Sequence, residues 1–189
     1  MLSDEELDGA LAALPEAERD AADRLTGVRR RELIAGRTAI HALLGGAHPV
    51  LANERGAPVV PAGLTGSISH KRAHAAAIVA AADHGHVGID LEGTAPTKLD
   101  ISRRILTANE PRVHGAELLR VFAIKEAIYK AIDPIVRRYV GFQEVELVIG
   151  EGGDVRVTVV DEVRLPVSIE AWWTIVDDHW LATARANPR

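Results

Sequence analysis

Cysteine is absent from the 189 residues. That excludes disulfides and thiolate metal sites, and it makes a reducing compartment the natural setting. No uninterrupted apolar run approaches the ~18 residues that suggest a membrane span, so no membrane role is expected. The N-terminus, MLSDEELDGALAALPEAERD, is acidic and has no basic start followed by an apolar run. No signal peptide is expected there, and a cytoplasmic location is. An excess of positive charge is also missing: 22 Lys and Arg stand against 27 Asp and Glu, a formal net charge of −5. That balance argues against general nucleic-acid binding, so an anionic ligand would need a local cluster of cations. There is no P-loop, no HExxH and no Rossmann fingerprint. No repeat or low-complexity segment stands out.

What is there suits a folded chain. Hydrophobic residues make up 47%, enough for one large domain or two small lobes with a core of their own. Residues 3–14 read as a short amphipathic helix with Ser3 as cap and Pro15 as its end. A second helix is predicted from about residue 16 to residue 44, stopped by Gly45 and Gly46. Residues 48–66, rich in Gly and Pro, read as an ordered loop. GSISHK and AAAIVAA follow as strand, turn and strand, then HVGIDLE as a further strand. Residues 100–133 read as helix in two or three pieces, with a break at Asn109-Glu110-Pro111. Two hairpins complete the chain, EVELVIG with VRVTVV and VSIEAWWTIV with LATARA. Strands flanking a helical centre suggest an α+β fold, with lobes of 1–86 and 87–189.

Three short stretches carry candidate chemistry. In Gly88-Ile89-Asp90-Leu91-Glu92 the two carboxylates are two apart on a strand and share a face. Side by side they repel, and a hard divalent cation would compensate. Taken alone, the same pattern fits a solvated strand end. In the helix Phe122-Ala123-Ile124-Lys125-Glu126-Ala127-Ile128-Tyr129-Lys130, Glu126 and Lys130 are four apart and share a face, as a surface ion pair would. Gly66-Ser67-Ile68-Ser69-His70-Lys71 offers hydroxyl, imidazole and ammonium donors that suit a phosphate, although His70 alone also fits a structural histidine.

In this order, GSISH, GIDLE and FAIKEAIYKA resemble the Sfp-type 4′-phosphopantetheinyl transferases. Arg29-Arg30-Arg31-Glu32-Leu33-Ile34-Ala35-Gly36-Arg37 resembles the arginine-rich helix of that family, and residues 58–63 resemble the loop before its Ser-His motif. Tyr139-Val140-Gly141-Phe142 resembles the compact bacterial subgroup that includes enterobactin-type enzymes, a hint of secondary metabolism. The likeness covers roughly residues 25 to 145. Departures are Val60 and Phe122 where Trp is frequent, Lys71 where Cys is common, and Ala123 where Ser is frequent.

The resemblance implies two similar α/β lobes related by a pseudo-two-fold axis in a monomer, with coenzyme A between them. It implies transfer of phosphopantetheine from coenzyme A to a serine of an apo acyl or peptidyl carrier protein, with release of 3′,5′-ADP. Asp90, Glu92 and Glu126 would hold Mg²⁺, or Mn²⁺ with the same ligands. Glu126 or a metal-bound water would take the serine proton, and Lys130 would meet the leaving phosphate. Arg29, Arg37, Arg55, Ser69, His70, Lys71 and Lys125 are the expected coenzyme A contacts, with Arg30 and Arg31 more solvated. The rival reading is a non-catalytic coenzyme A or nucleotide-binding module.

Overall fold

Glycine, proline and the change of hydrophobic period set the element boundaries in the computed structural model, which describes residues 4–46, 48–72, 74–96, 100–160 and 165–189. Helix α1 (Asp4–Ala13) ends before Pro15, where α2 (Glu16–Asp23) begins. The expected cap Ser3 lies outside the described residues. The single helix expected over residues 16–44 is two helices. Thr26 is extended, with φ −130° and ψ 160°, and α3 (Gly27–Leu44) starts from it. Gly27 adopts φ +55°, a left-handed value that breaks a right-handed helix and that glycine takes without strain. Gly45, at φ 64°, closes α3 as a left-handed cap.

The chain divides into two compact units, Met1–Asp83 and His84–Arg189. A boundary at His86 would have cut the first residue from a strand. In the first unit β1 (Leu64–Lys71) and β2 (His74–Ala81) form an antiparallel hairpin, with Ser69 opposite Ala76. Helix α3 packs on both strands. A small core of Leu7, Leu14, Ala22 and Ile34 joins the three helices.

The second unit holds the larger core, with a five-stranded antiparallel sheet ordered β3-β7-β6-β5-β4. Its strands are β3 (His86–Gly93), β4 (Val145–Ile149), β5 (Asp154–Val159), β6 (Val167–Val176) and β7 (His179–Pro188). After β3 come one turn of helix, α4 (Ser102–Ile105), and the long α5 (Gly115–Val136), which lies across β3, β7 and β6. Ala123, Ile124, Ala127, Ile128, Ala131 and Ile132 of α5 are all buried in this core. The structure is thus a mixed fold of helices and antiparallel sheet, and the hairpins occur where the period-two patterns predict them.

One contact decides how close α5 comes to β3. A β-carbon on Gly88 would collide with the Ala127 carbonyl oxygen and stand 2.8 Å from the Ala131 nitrogen. Glycine there lets helix backbone rest on strand backbone. Gly88→Ala is therefore expected to cost about 3 kcal/mol through overpacking, read as a fall in the urea midpoint. An unchanged midpoint would contradict this contact.

Candidate functional site

The Gly88 contact sets the residues beside it. Asp90 lies two residues further along β3, while Glu126 and Lys130 lie one residue before Ala127 and Ala131 on α5. The Lys130 ammonium donates to Asp90 Oδ1 at 2.7 Å and to the Ile89 carbonyl at 2.9 Å. Asp90 and Glu92 are both buried, 6% and 7% exposed, although they lie on the strand's polar positions. This differs from a simple alternation of core and solvent, because β3 is buried along both faces.

Glu126 completes an acidic group. Burial raises its carboxyl pKa above the usual range, and the nearby charge of Asp90 raises it further. Lys130 opposes this, Glu92 adds to it and Arg104 opposes it in turn. The charges of both strand carboxylates thus reach Glu126. Among the described residues no three His, Asp or Glu side chains enclose a metal-sized site as they stand. The donor chemistry nevertheless fits a hard dication. Burial first, and then the charges of Asp90 and Glu92, lift the proton affinity of Glu126, and a hard dication would relieve that repulsion.

Lys125 corrects an expectation. It does not reach a ligand: its residue is 2% exposed. Its ammonium donates to Glu110 Oε2 at 2.7 Å and to the carbonyls of Ile105, Phe142 and Val145 at 2.9, 2.9 and 3.0 Å. Burial lowers its pKa and Glu110 works against that. Glu110 also accepts from the backbone N–H groups of Thr107 and Leu147. The acid is invisible as a functional residue in the sequence, where it reads only as part of the Asn-Glu-Pro break. Lys125 had a visible signal. It lies on the stripe Leu118, Val121, Lys125, Ile128, Ile132, whose other members are buried.

In the first unit, α3 runs along one face of β1. Glu32 stands 3.6 Å from His70 Nδ1. One turn later a β-carbon on Gly36 would lie 2.9 Å from Ile68 Cγ2, and a turn beyond that Ile40 approaches Gly66. The structure so brings the Ser-His strand and the arginine-rich helix together. His70 is exposed, but Ser69 is buried on the opposite face with Thr65 and Ser67, so Ser69, His70 and Lys71 do not form a one-sided clamp. Side chains alternate along a strand, and only residues two apart share a face. Arg37 is half-buried, while Arg29 and Arg55 are exposed. Arg30 and Arg31 are half-buried rather than the more solvated pair, and Arg30 reaches back to Asp23 at 3.5 Å. Sequence reasoning also missed Glu18, fully buried and held by His41.

The fold and the site describe a mixed α/β protein with an acidic cluster in one unit and cationic side chains on the packed helix and strand of the other. Residues 17–80 match the 4′-phosphopantetheinyl transferase N-terminal domain family, and residues 86–184 match the 4′-phosphopantetheinyl transferase superfamily. The second match alone spans more than half of the chain, which belongs to the 4′-phosphopantetheinyl transferase superfamily.

Three curated relatives carry the name 4′-phosphopantetheinyl transferase. Svp of Streptomyces mobaraensis is 34% identical, over 53% of this chain and 45% of that protein. Npt of Nocardia iowensis is 36% identical, over 63% and 59%. PptT of Mycobacterium tuberculosis is 34% identical, over 72% and 65%. The chain thus matches between 45% and 65% of the length of these relatives. A solved complex described as Chronobacterium ammoniagenes ACPS with CoA is 19% identical at a TM-score of 0.41, covering 55% of this chain and 96% of that one. A likeness of that size carries no argument. No described helix is long and apolar enough to cross a membrane.

The Lys125 pair makes a prediction of its own. Lys125→Met leaves Glu110 buried without its cation and is expected to cost about 3–5 kcal/mol. The double variant Glu110→Leu/Lys125→Met should recover part of that in chemical denaturation. If Lys125→Met unfolds at the wild-type midpoint, the ammonium is not the anchor described.

Proposed function

We propose that this protein transfers the 4′-phosphopantetheine group of coenzyme A to a serine of an apo acyl or peptidyl carrier protein, releasing 3′,5′-ADP. The observation that carries the reading is the coupling of Glu126 to Asp90 and Glu92, with Lys130 bound to Asp90. Family membership and the names of the relatives support it.

Asp90, Glu92 and Glu126 would hold Mg²⁺ or Mn²⁺, which when bound neutralises charge on a pyrophosphate. In the reaction the serine Oγ forms a bond to the β-phosphorus of coenzyme A. The bond from that phosphorus to the bridging oxygen breaks, and 3′,5′-ADP departs. Phosphoryl transfer needs alignment and charge neutralisation more than covalent help. The serine proton goes to Glu126 or to a water that it orients. A carboxyl whose proton affinity is lifted by its surroundings is better suited to that task than an ordinary one. Lys130 offers a positive charge to the oxygen of the departing phosphate. The nucleotide end is assigned to the first unit, to His70 and Arg37, with Arg29, Arg55 and Lys71 as outlying cations. A half-buried arginine is a stronger anion ligand than a solvated one, because water screens it less. No role is assigned to Lys125.

The test is incubation with coenzyme A, Mg²⁺ and an apo carrier protein, followed by intact mass. A gain of one phosphopantetheine group is expected, and none after the divalent cation is chelated. Lys130→Ala should lower kcat by roughly 10²–10³-fold. Coenzyme A binding without transfer to any of several carriers would establish the non-catalytic module instead.

Glu126→Gln should abolish transfer and yet raise the thermal midpoint of the metal-free protein. A carboxyl whose folded pKa is raised loses stability as pH rises through that value. At neutral pH the raised proton affinity therefore costs stability, and the neutral amide removes the cost. A lowered midpoint would show that Glu126 is not held against its neighbours' charge.

A further inference from the structure

The arginine-rich stretch of α3 carries a single acid. In Arg29-Arg30-Arg31-Glu32-Leu33-Ile34-Ala35-Gly36-Arg37 only Glu32 is negative. A carboxylate beside an anion site weakens that site if its charge is all that counts. The place of Glu32 in the fold gives it another use.

Helix α3 is seated on β1 by a ladder of contacts. A β-carbon on Gly36 would lie 2.9 Å from Ile68 Cγ2, and one on Gly66 would lie 3.4 Å from Ile40 Cδ1. Glu32 and His70 form the next rung, with a carboxylate oxygen 3.6 Å from His70 Nδ1. The rungs stay in step because four residues of helix rise about 6 Å and two residues of strand advance about 6.6 Å. Helix residues 32, 36 and 40 therefore meet strand residues 70, 68 and 66 in turn. A glycine in each of the two apolar rungs brings helix and strand close, and the third rung is polar.

The Glu32 side chain is 21% exposed and that of His70 is 45% exposed. A histidine that open would sample several rotamers if nothing selected one. Here the ring turns Nδ1 to the acid, so Nε2, across the ring, is turned away from it. At 3.6 Å the contact is longer than a hydrogen bond. It is an electrostatic contact between partly exposed groups, which adds little stability but favours one ring orientation over the others.

We infer that Glu32 is a positioning residue for His70: fixed in place by the Gly36–Ile68 rung, its carboxylate keeps Nδ1 toward α3 and leaves Nε2 for the 3′-phosphate of coenzyme A. The inference rests on the assignment of His70 to the nucleotide end made above. It follows the general pattern in which a partner behind a binding imidazole sets which nitrogen meets the ligand.

The experiment is calorimetric binding of coenzyme A and of 3′-dephospho-coenzyme A to wild type, Glu32→Ala, Glu32→Gln, His70→Ala and the double variant Glu32→Ala/His70→Ala. Glu32→Ala should weaken coenzyme A roughly three- to fivefold, the modest effect of a partly exposed pair, and leave dephospho-coenzyme A within about 1.5-fold. Glu32→Gln should keep most of the affinity, because its amide oxygen still accepts from Nδ1. The double variant should bind like His70→Ala, as two residues acting as one unit do. Tighter binding of coenzyme A by Glu32→Ala would mean that the acid only repels the phosphate, and it overturns the positioning role. Equal weakening of both ligands, no weakening, or additive losses in the double variant overturn it too. Should His70→Ala bind coenzyme A as wild type does, the assignment of His70 falls and takes the role of Glu32 with it, a failure distinct from that of Glu32 alone.

Discussion

The close seating of α5 on β3 is the constraint from which the site follows. Strand and helix touch backbone to backbone at Gly88. Residues adjacent to the contact on each element, Asp90 on the strand and Glu126 and Lys130 on the helix, then face one another without long side chains having to search for partners. A larger residue at position 88 would push the helix outward, and both the Lys130–Asp90 bond and the coupling of Glu126 would lengthen with it. The backbone contact is apolar packing, but its product is electrostatic.

That product is unfavourable for folding taken alone. Glu126 holds its proton more tightly than an ordinary carboxyl, first because it is buried and then because of the Asp90 and Glu92 charges, which Lys130 opposes. The rest of the second unit offsets this with an extensive core of α5 against the sheet. Strain confined to a few charged groups on rigid elements is what a site for a cation and a phosphorylated substrate requires. The first unit shows the opposite solution. Its buried acid, Glu18, is matched by His41 and a backbone donor, so the charge is settled before any ligand arrives.

Much of this was legible in the residues. The hairpins announce themselves by strand patterning, with glycines marking the β4–β5 turn, and the shared face of Glu126 and Lys130 follows from helical spacing. The convergence of GIDLE with the Lys-Glu helix came from family resemblance, since no local rule predicts which strand a helix crosses. The continuous helix over residues 16–44 fails at Thr26-Gly27, where a two-residue signal is outweighed by good helix formers on either side. Glu110 and Glu18 were hidden for another reason. An acid in a polar-looking segment carries no mark of burial, and its partners lie 15 and 23 residues away in the chain. The opposite faces of Ser69 and His70, by contrast, were available from strand geometry alone.

Lys125 and Lys130 show how one helix serves both ends. At ~100° per residue, Lys125 lies roughly opposite the Ala127 position that meets Gly88. The helix is thus held on one side by the strand and on the other by an ammonium bound to Glu110 and three carbonyls. Rotation of α5 about its axis would break one grip or the other. A buried ion pair is a poor source of net stability compared with apolar side chains of similar volume. Its value here is rotational register: the turn that keeps Lys125 on Glu110 is the turn that keeps Glu126, its neighbour in sequence, aimed at Asp90 and Glu92. Replacing Lys125 with a residue that merely fills the space would preserve burial but surrender that register, so the carboxylates would lose alignment before the fold lost its core.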